Sequence, residues 1–188
     1  GGTDWATMVG SDEPDVLWAK KNEMRVEYDA NVQYGNRLPL ASLFYDVTVV
    51  GCERMVARAR GLSDWVELHD SGGNDVLIAK PNKVEMMNGL RANVARGSEY
   101  RITARGFHNV SAIADQGGDG DIAKLYDSGE DGLDLWEARY VNGETWSTMS
   151  SPSRLLYEVL AFEKIGGYGF NAGLGEEHGT NRSVRAHD

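Results

Sequence analysis

The chain carries a single cysteine, Cys52, so no disulfide can form within it and its cohesion must come from packing or from a bound cation. No apolar run approaches the ~20 residues that a membrane-spanning helix needs, and no helical span is expected. Positive charge is scarce: 19 Lys and Arg stand against 29 Asp and Glu, for a net charge of −10. That balance argues against a nucleic-acid partner, because affinity for a phosphate backbone rests on Lys and Arg. P-loop, nucleophile-elbow and zinc-site spacings are all missing, and His69, His108, His178 and His187 follow no metal-ligand spacing. No catalytic residue is assigned, and a non-enzyme is expected. A polysaccharide lyase or hydrolase of the β-helix type, which collects acids from separate coils, is the alternative.

What the chain does contain is repetition. Asp64-Trp65-Val66-Glu67-Leu68-His69 alternates polar and apolar residues with the two-residue period of a half-buried strand. A turn follows, Ser71-Gly72-Gly73-Asn74, and then a second strand from Asp75 to Lys80. Sixty residues earlier the same pattern runs from Asp4-Trp5 through Ser11 to Asp15 and Lys20, and a third version opens at Asp121. The later part of each unit also recurs, as Tyr45 to Cys52, Tyr100 to Phe107 and Tyr157 to Phe162. Cys52 therefore shares its position with two phenylalanines and reads as a buried apolar residue. Residues 1–61, 62–118 and 119–173 form three units of one continuous domain, and 174–188 carry the opening strand of a fourth. The start at Gly1-Gly2 suggests a processed or excised chain.

Five short strands are expected per unit, near 4–9, 15–19, 23–28, 45–50 and 54–59 in the first and at matching places in the others. The fold class is all-β. A repeat β-solenoid, resembling a parallel β-helix, explains the period, because stacked neighbours bury the apolar face that one unit cannot bury alone. A three-fold closed β fold is the alternative.

Two segments, Ser71 to Leu77 and Gly117 to Ile122, resemble the glycine- and aspartate-rich repeats of secreted RTX-type calcium-binding proteins. The resemblance implies calcium, with oxygen ligands drawn from Asp70, Asp75, Asp119, Asp121, Asp127, Asp131 and Asp134. The segments Leu125-Tyr126-Asp127-Ser128-Gly129 and Leu68-His69-Asp70-Ser71-Gly72 also resemble the Leu-Tyr-Asp-Ser-x-Gly-x-Asp core of tandem repeats in long secreted bacterial surface proteins. That likeness implies an extracellular or cell-surface array, and a structural or adhesive role is expected. The opening strands at the two ends, Thr3 to Val9 and Arg182 to Asp188, would leave unpaired edges of matching sequence, so self-association through the terminal repeats into filaments is expected. Trp18, Trp136 and Trp146 do not share one repeat position and are candidates to stack on the rings of a polysaccharide. Asn109-Val110-Ser111 and Asn181-Arg182-Ser183 fit the N-glycosylation sequon.

Overall fold

The computed structural model describes residues 3–11, 14–29, 43–88, 100–118, 120–126, 135–141, 144–150, 156–168 and 182–185. They form sixteen strands. In chain order these are β1 Trp5–Val9, β2 Asp15–Lys20, β3 Glu23–Asp29, β4 Leu43–Val50, β5 Arg54–Arg58, β6 Trp65–His69, β7 Asp75–Lys80 and β8 Lys83–Asn88. There follow β9 Arg101–Arg105, β10 Asn109–Ile113, β11 Ile122–Tyr126, β12 Leu135–Val141, β13 Glu144–Ser150, β14 Leu156–Leu160, β15 Lys164–Tyr168 and β16 Arg182–Arg185. Each expected strand is present, with ends displaced by at most three residues, because alternation of apolar and polar side chains is a local signal.

The strands build two eight-stranded sheets, and the fold is all-β. Sheet A runs β1-β5-β9-β8-β7-β11-β15-β16, and sheet B runs β12-β13-β14-β10-β6-β2-β3-β4. Both are mixed: seven pairings are parallel and seven antiparallel. The antiparallel pairs lie mostly within three-stranded meanders, β2-β3-β4, β7-β8-β9 and β12-β13-β14, and the parallel pairs join one meander or single strand to the next.

The chain changes sheet at regular places. It enters on β1 in sheet A, builds the first meander in sheet B, crosses on β5 to A and on β6 to B, and builds the second meander in A. It then crosses on β10 to B and β11 to A and builds the third meander in B. From the first unit through the third, strands that share a repeat position therefore lie in opposite sheets from one unit to the next. The pairing rule between units nevertheless stays fixed. The opening strand of a unit pairs in parallel with the second strand of the unit before it, β6 with β2 and β11 with β7. β16 departs from that rule and lies antiparallel on β15.

The core fills the space between the sheets. Leu17, Met24, Val66, Leu68 and Tyr157 face inward from sheet B, and Met55, Leu77, Met86, Ile102, Leu125 and Ile165 from sheet A; all are 2% exposed or less. Burying one such side chain is worth roughly 1.5–3 kcal/mol. Phe107 and Phe162 are buried, and Cys52 at the same repeat position is half-buried against the same core. Just before these three residues the backbone turns through the left-handed region, at Gly51 (φ 79°), Gly106 (φ 77°) and Ala161 (φ 62°). Glycine reaches that conformation freely, whereas alanine in the third unit does so at a cost.

Aspartates stitch the turns that connect the sheets. The Asp64 carboxylate accepts hydrogen bonds from the backbone N–H groups of Asp15, Arg60 and Gly61, at 2.9–3.0 Å. One unit later Asp121 accepts from the N–H of Asp75 at 2.6 Å, and the N–H of Asp121 donates to Glu163 at 2.6 Å. Within the turns, the Asp15 carboxylate accepts from the N–H of Ser11, and that of Asp75 from the N–H and hydroxyl of Ser71. Aspartate thus satisfies backbone donors that no strand partner reaches.

Candidate functional site

The same stitching brings three carboxylates together in the middle of the molecule. Asp70 closes β6, Asp75 opens β7, and Asp121 immediately precedes β11, which pairs with β7. All three are 1% exposed or less, and each offers an oxygen within 4.8 Å of the others. Asp70 Oδ1 accepts from the N–H groups of Asp115 and Gln116, at 3.0 and 2.8 Å. Asp70 Oδ2 and Asp75 Oδ1 are buried without a hydrogen-bond partner. The Tyr100 hydroxyl, on a side chain 3% exposed, faces Asp75, Ser71 and Asp70 without a hydrogen bond of good geometry to any of them. Among the described residues no Lys or Arg forms an ion pair with any of the three aspartates.

Burial without compensation is costly for a charge, and the acidities respond. Desolvation raises the pKa of Asp70 and Asp75 against the opposing pull of their backbone donors. Asp121 is pushed up to about 7, by desolvation first, and also by the charges of Glu163, Asp70 and Asp75; the N–H of Asp75 opposes. The Tyr100 hydroxyl is raised far above its ordinary value by desolvation and by the neighbouring Asp75.

The first unit offers an internal comparison. At the position of Asp70 it has Gly10, while Asp15 and Asp64 match Asp75 and Asp121. A Cβ on Gly10 would meet Asp15 Oδ2 at 2.5 Å, so that turn has no room for a third carboxylate. There Asp64 caps the N–H groups of Arg60 and Gly61. In the second unit Asp70 caps the equivalent pair, Asp115 and Gln116. Capping is thus shared by two aspartates in the first unit and by three in the second, where Asp70 takes over the pair that Asp64 holds in the first. The turn of Gly73 also lies close against the next one, since a Cβ on Gly118 would meet the Gly73 carbonyl oxygen at 2.7 Å.

Of the seven aspartates considered as calcium ligands, Asp70, Asp75 and Asp121 are gathered here. Asp119, Asp127, Asp131 and Asp134 lie outside the described residues. Tyr100 was not singled out by sequence; its only signal was recurrence with Tyr45 and Tyr157 at one repeat position.

The aromatic candidates separate. Trp18 on β2 and Trp146 on β13 are both half-buried on the outer face of sheet B, but β6, β10 and β14 lie between their strands. The side chain of Trp136 is outside the described set. Trp18 is tied to its surroundings by His69, ring centroids 5.4 Å apart, and by Lys20 over its ring at 4.9 Å. His69 in turn contacts Glu67 at 2.9 Å and Asp115 at 3.1 Å. Burial opposes protonation of His69, but those two carboxylates outweigh it and hold its pKa above 6.5. The sequon residue Asn109 is buried, with its Nδ2 donating to the Asp64 carbonyl, so no acceptor amide is presented there.

The class is thus an all-β protein of two facing mixed sheets with a buried acidic cluster at its middle turns. No protein-family model, no curated protein and no solved structure matches the chain. No helix among the described residues is long and apolar enough to cross a membrane.

Proposed function

We propose that the chain is a non-catalytic structural or adhesive repeat protein of the cell exterior, a flattened β-solenoid that extends end to end. One observation carries the reading. The parallel pairing of an opening strand with the second strand of the preceding unit recurs as β6 on β2 and β11 on β7. Among the described residues β1 and β12 are edge strands, each paired on one side only. β1 is an opening strand and β12 a second strand, so β1 of one copy fits β12 of another by the rule already used twice inside the chain. Such a contact is heterologous and propagates. In the interior the fourth strand of each unit pairs with the fifth strand of the unit before, β9 with β5 and β14 with β10. Joining would likewise set β4 against β15, an edge that β16 covers. β16 then acts as a removable cap on an otherwise exposed edge. The exterior location rests on the resemblance of Leu125 to Gly129 and Leu68 to Gly72 to surface-protein repeats.

Light scattering across a concentration series tests this. Molar mass should rise with concentration, rise further in a chain ending at residue 179, and stay at the monomer value in Thr7→Pro, which breaks β1. A constant monomer mass for the shortened chain refutes the reading.

A second reading, a calcium-stabilised module, is favoured by the unpartnered oxygens of Asp70 and Asp75 beside the Tyr100 hydroxyl. Oxygens around one calcium ion lie up to about 4.6–5.2 Å apart, and about 4.2 Å around magnesium. The three oxygens here lie within 4.8 Å of one another, close enough to share one hard cation. Millimolar calcium should raise the melting temperature relative to chelator, and Asp70→Asn, which keeps the Oδ1 acceptor for the Asp115 and Gln116 N–H groups while removing the charge, should abolish most of that rise. Equal calcium responses in both proteins refute it.

A further inference from the structure

The net charge of −10 conceals a strong segregation of charge between the two faces. Outward-facing positions of sheet A carry Arg54 and Arg58 on β5, Lys80 on β7, Lys83 on β8, Arg101 and Arg105 on β9, Lys124 on β11 and Lys164 on β15. Among the described outward side chains of that sheet, Glu85 is the one carboxylate. Eight cations on one sheet face are a large share of the 19 in the whole chain.

Strand pairing orders four of them into a row. Arg58 is in register with Arg105, Arg105 with Lys83, and Lys83 with Lys80. Neighbouring strands are about 4.8 Å apart, so the row places one positive charge at each such step. Beyond Lys80 the row continues into aromatic rings: Lys80 Nζ lies 5.5 Å from the Tyr126 ring centroid, and Tyr126 stacks on Tyr168 at 5.0 Å and 19°. A second, shorter row joins Arg54 to Arg101, with Arg54 set over the exposed Trp5 ring at 5.2 Å. Between the rows is a groove of about 200 Å³, lined by Trp5, Arg54, Arg101, Arg105, Lys83 and Glu85 among others.

Like charges directly opposite on adjacent strands are unfavourable. Edge protection does not account for them, because β5, β9, β8 and β7 are interior strands and the edge strand β1 exposes Trp5, Thr7 and Val9 instead. No side-chain partner compensates Arg58 or Arg105 among the described residues. A linear polyanion laid across the strands would neutralise Arg58 and Arg105 and run on past Lys83 and Lys80.

We infer that the outer face of sheet A is a binding surface for an acidic polysaccharide, a uronate-type polymer whose carboxylates meet the cation row and whose sugar rings reach the Tyr126–Tyr168 stack. Glu85, paired with Lys83 at 2.8 Å, stands beside the row and accepts hydrogen bonds from sugar hydroxyls, which a deoxyribose phosphate chain lacks. The aromatic pair suits the same ligand, since rings with an apolar face and a polar rim rest on aromatic side chains. This goes beyond the assembly reading and uses a different face from Trp18 and Trp146.

The probe is polygalacturonate, titrated calorimetrically into the full chain in chelator at low salt, with neutral dextran and a single-stranded oligodeoxynucleotide of equal charge alongside. Binding to polygalacturonate should weaken with added salt. Arg58→Ser combined with Arg105→Ser, both exposed and unpaired, should weaken it about tenfold or more and flatten its salt dependence. Lys20→Ser on the opposite sheet should leave affinity unchanged, and Tyr126→Ser should weaken binding without changing the salt slope. Failure to bind, an equal loss in Lys20→Ser, or tighter binding of the oligonucleotide overturns the proposal.

Discussion

Replacing Asp121 by Asn should stabilise the protein by an amount that grows from about pH 4 upward and is complete above about pH 7. An ordinary aspartate ionises at 3.8 and Asp121 at about 7, so the folded chain holds this proton more tightly than the unfolded chain does. The contribution of Asp121 to stability is therefore greatest below 3.8, falls as pH rises toward about 7, and stays flat beyond it. At ~1.36 kcal/mol per tenfold change in acidity, the full penalty above pH 7 is about 4 kcal/mol, and about 2 kcal/mol is the working expectation once water entry is allowed for. Asn keeps the Oδ1 acceptor for the Asp75 N–H and removes the charge. Urea unfolding in chelator should show Asp121→Asn more stable by about 2 kcal/mol at pH 8, and level with the parent at pH 4. In thermal unfolding the gain corresponds to about 4–8 °C for a chain of this size. With calcium added the order should reverse, because the substitution removes a ligand oxygen. A gain of equal size at both pH values, or no gain at pH 8, refutes the argument that an unrelieved charge resides at Asp121.

Three further outcomes are open to measurement. His69 should titrate above 6.5 in an NMR pH series, and the stability from its contacts with Glu67 and Asp115, full below 6.5, should be lost as pH rises through that higher value; His69→Gln should remove this loss. Ala161→Gly should raise stability by about 1 kcal/mol by relieving the left-handed backbone, while Gly106→Ala at the same repeat position should lower it by a similar amount, both read by urea unfolding. Leu68→Ala, at a site with no exposure, should cost about 2–5 kcal/mol and reduce the melting temperature accordingly.

The strands were legible in the sequence because each is specified by its own alternation; Val66 and Leu68 face inward wherever β6 lies. Membership of a sheet was not legible. It depends on which distant strand supplies the next ladder, and nothing local to Asp75 to Lys80 says that this meander belongs to sheet A while its counterpart from Asp15 belongs to sheet B. The acidic cluster was half visible. Asp70 and Asp75 are five residues apart across one turn, whereas Asp121 joins them only through the pairing of β11 with β7. The cation row was invisible for the same reason: Arg58, Lys80, Lys83 and Arg105 become neighbours only when β5, β9, β8 and β7 align. Net charge actively misdirected attention here, because a sum over the chain carries no information about sides.

The exchange of sheets between successive units gives the architecture a parity. The meander β2-β3-β4 lies in sheet B, β7-β8-β9 in sheet A, and β12-β13-β14 in sheet B again. Odd and even units thus decorate opposite sides. Inserting or deleting one unit of about sixty residues would invert every face downstream of the change, turning a basic surface where an aromatic one had been. Two units at a time would preserve it. Gene lengthening in such a protein is constrained to even steps wherever a side matters, and a designer extending the chain should count units in pairs.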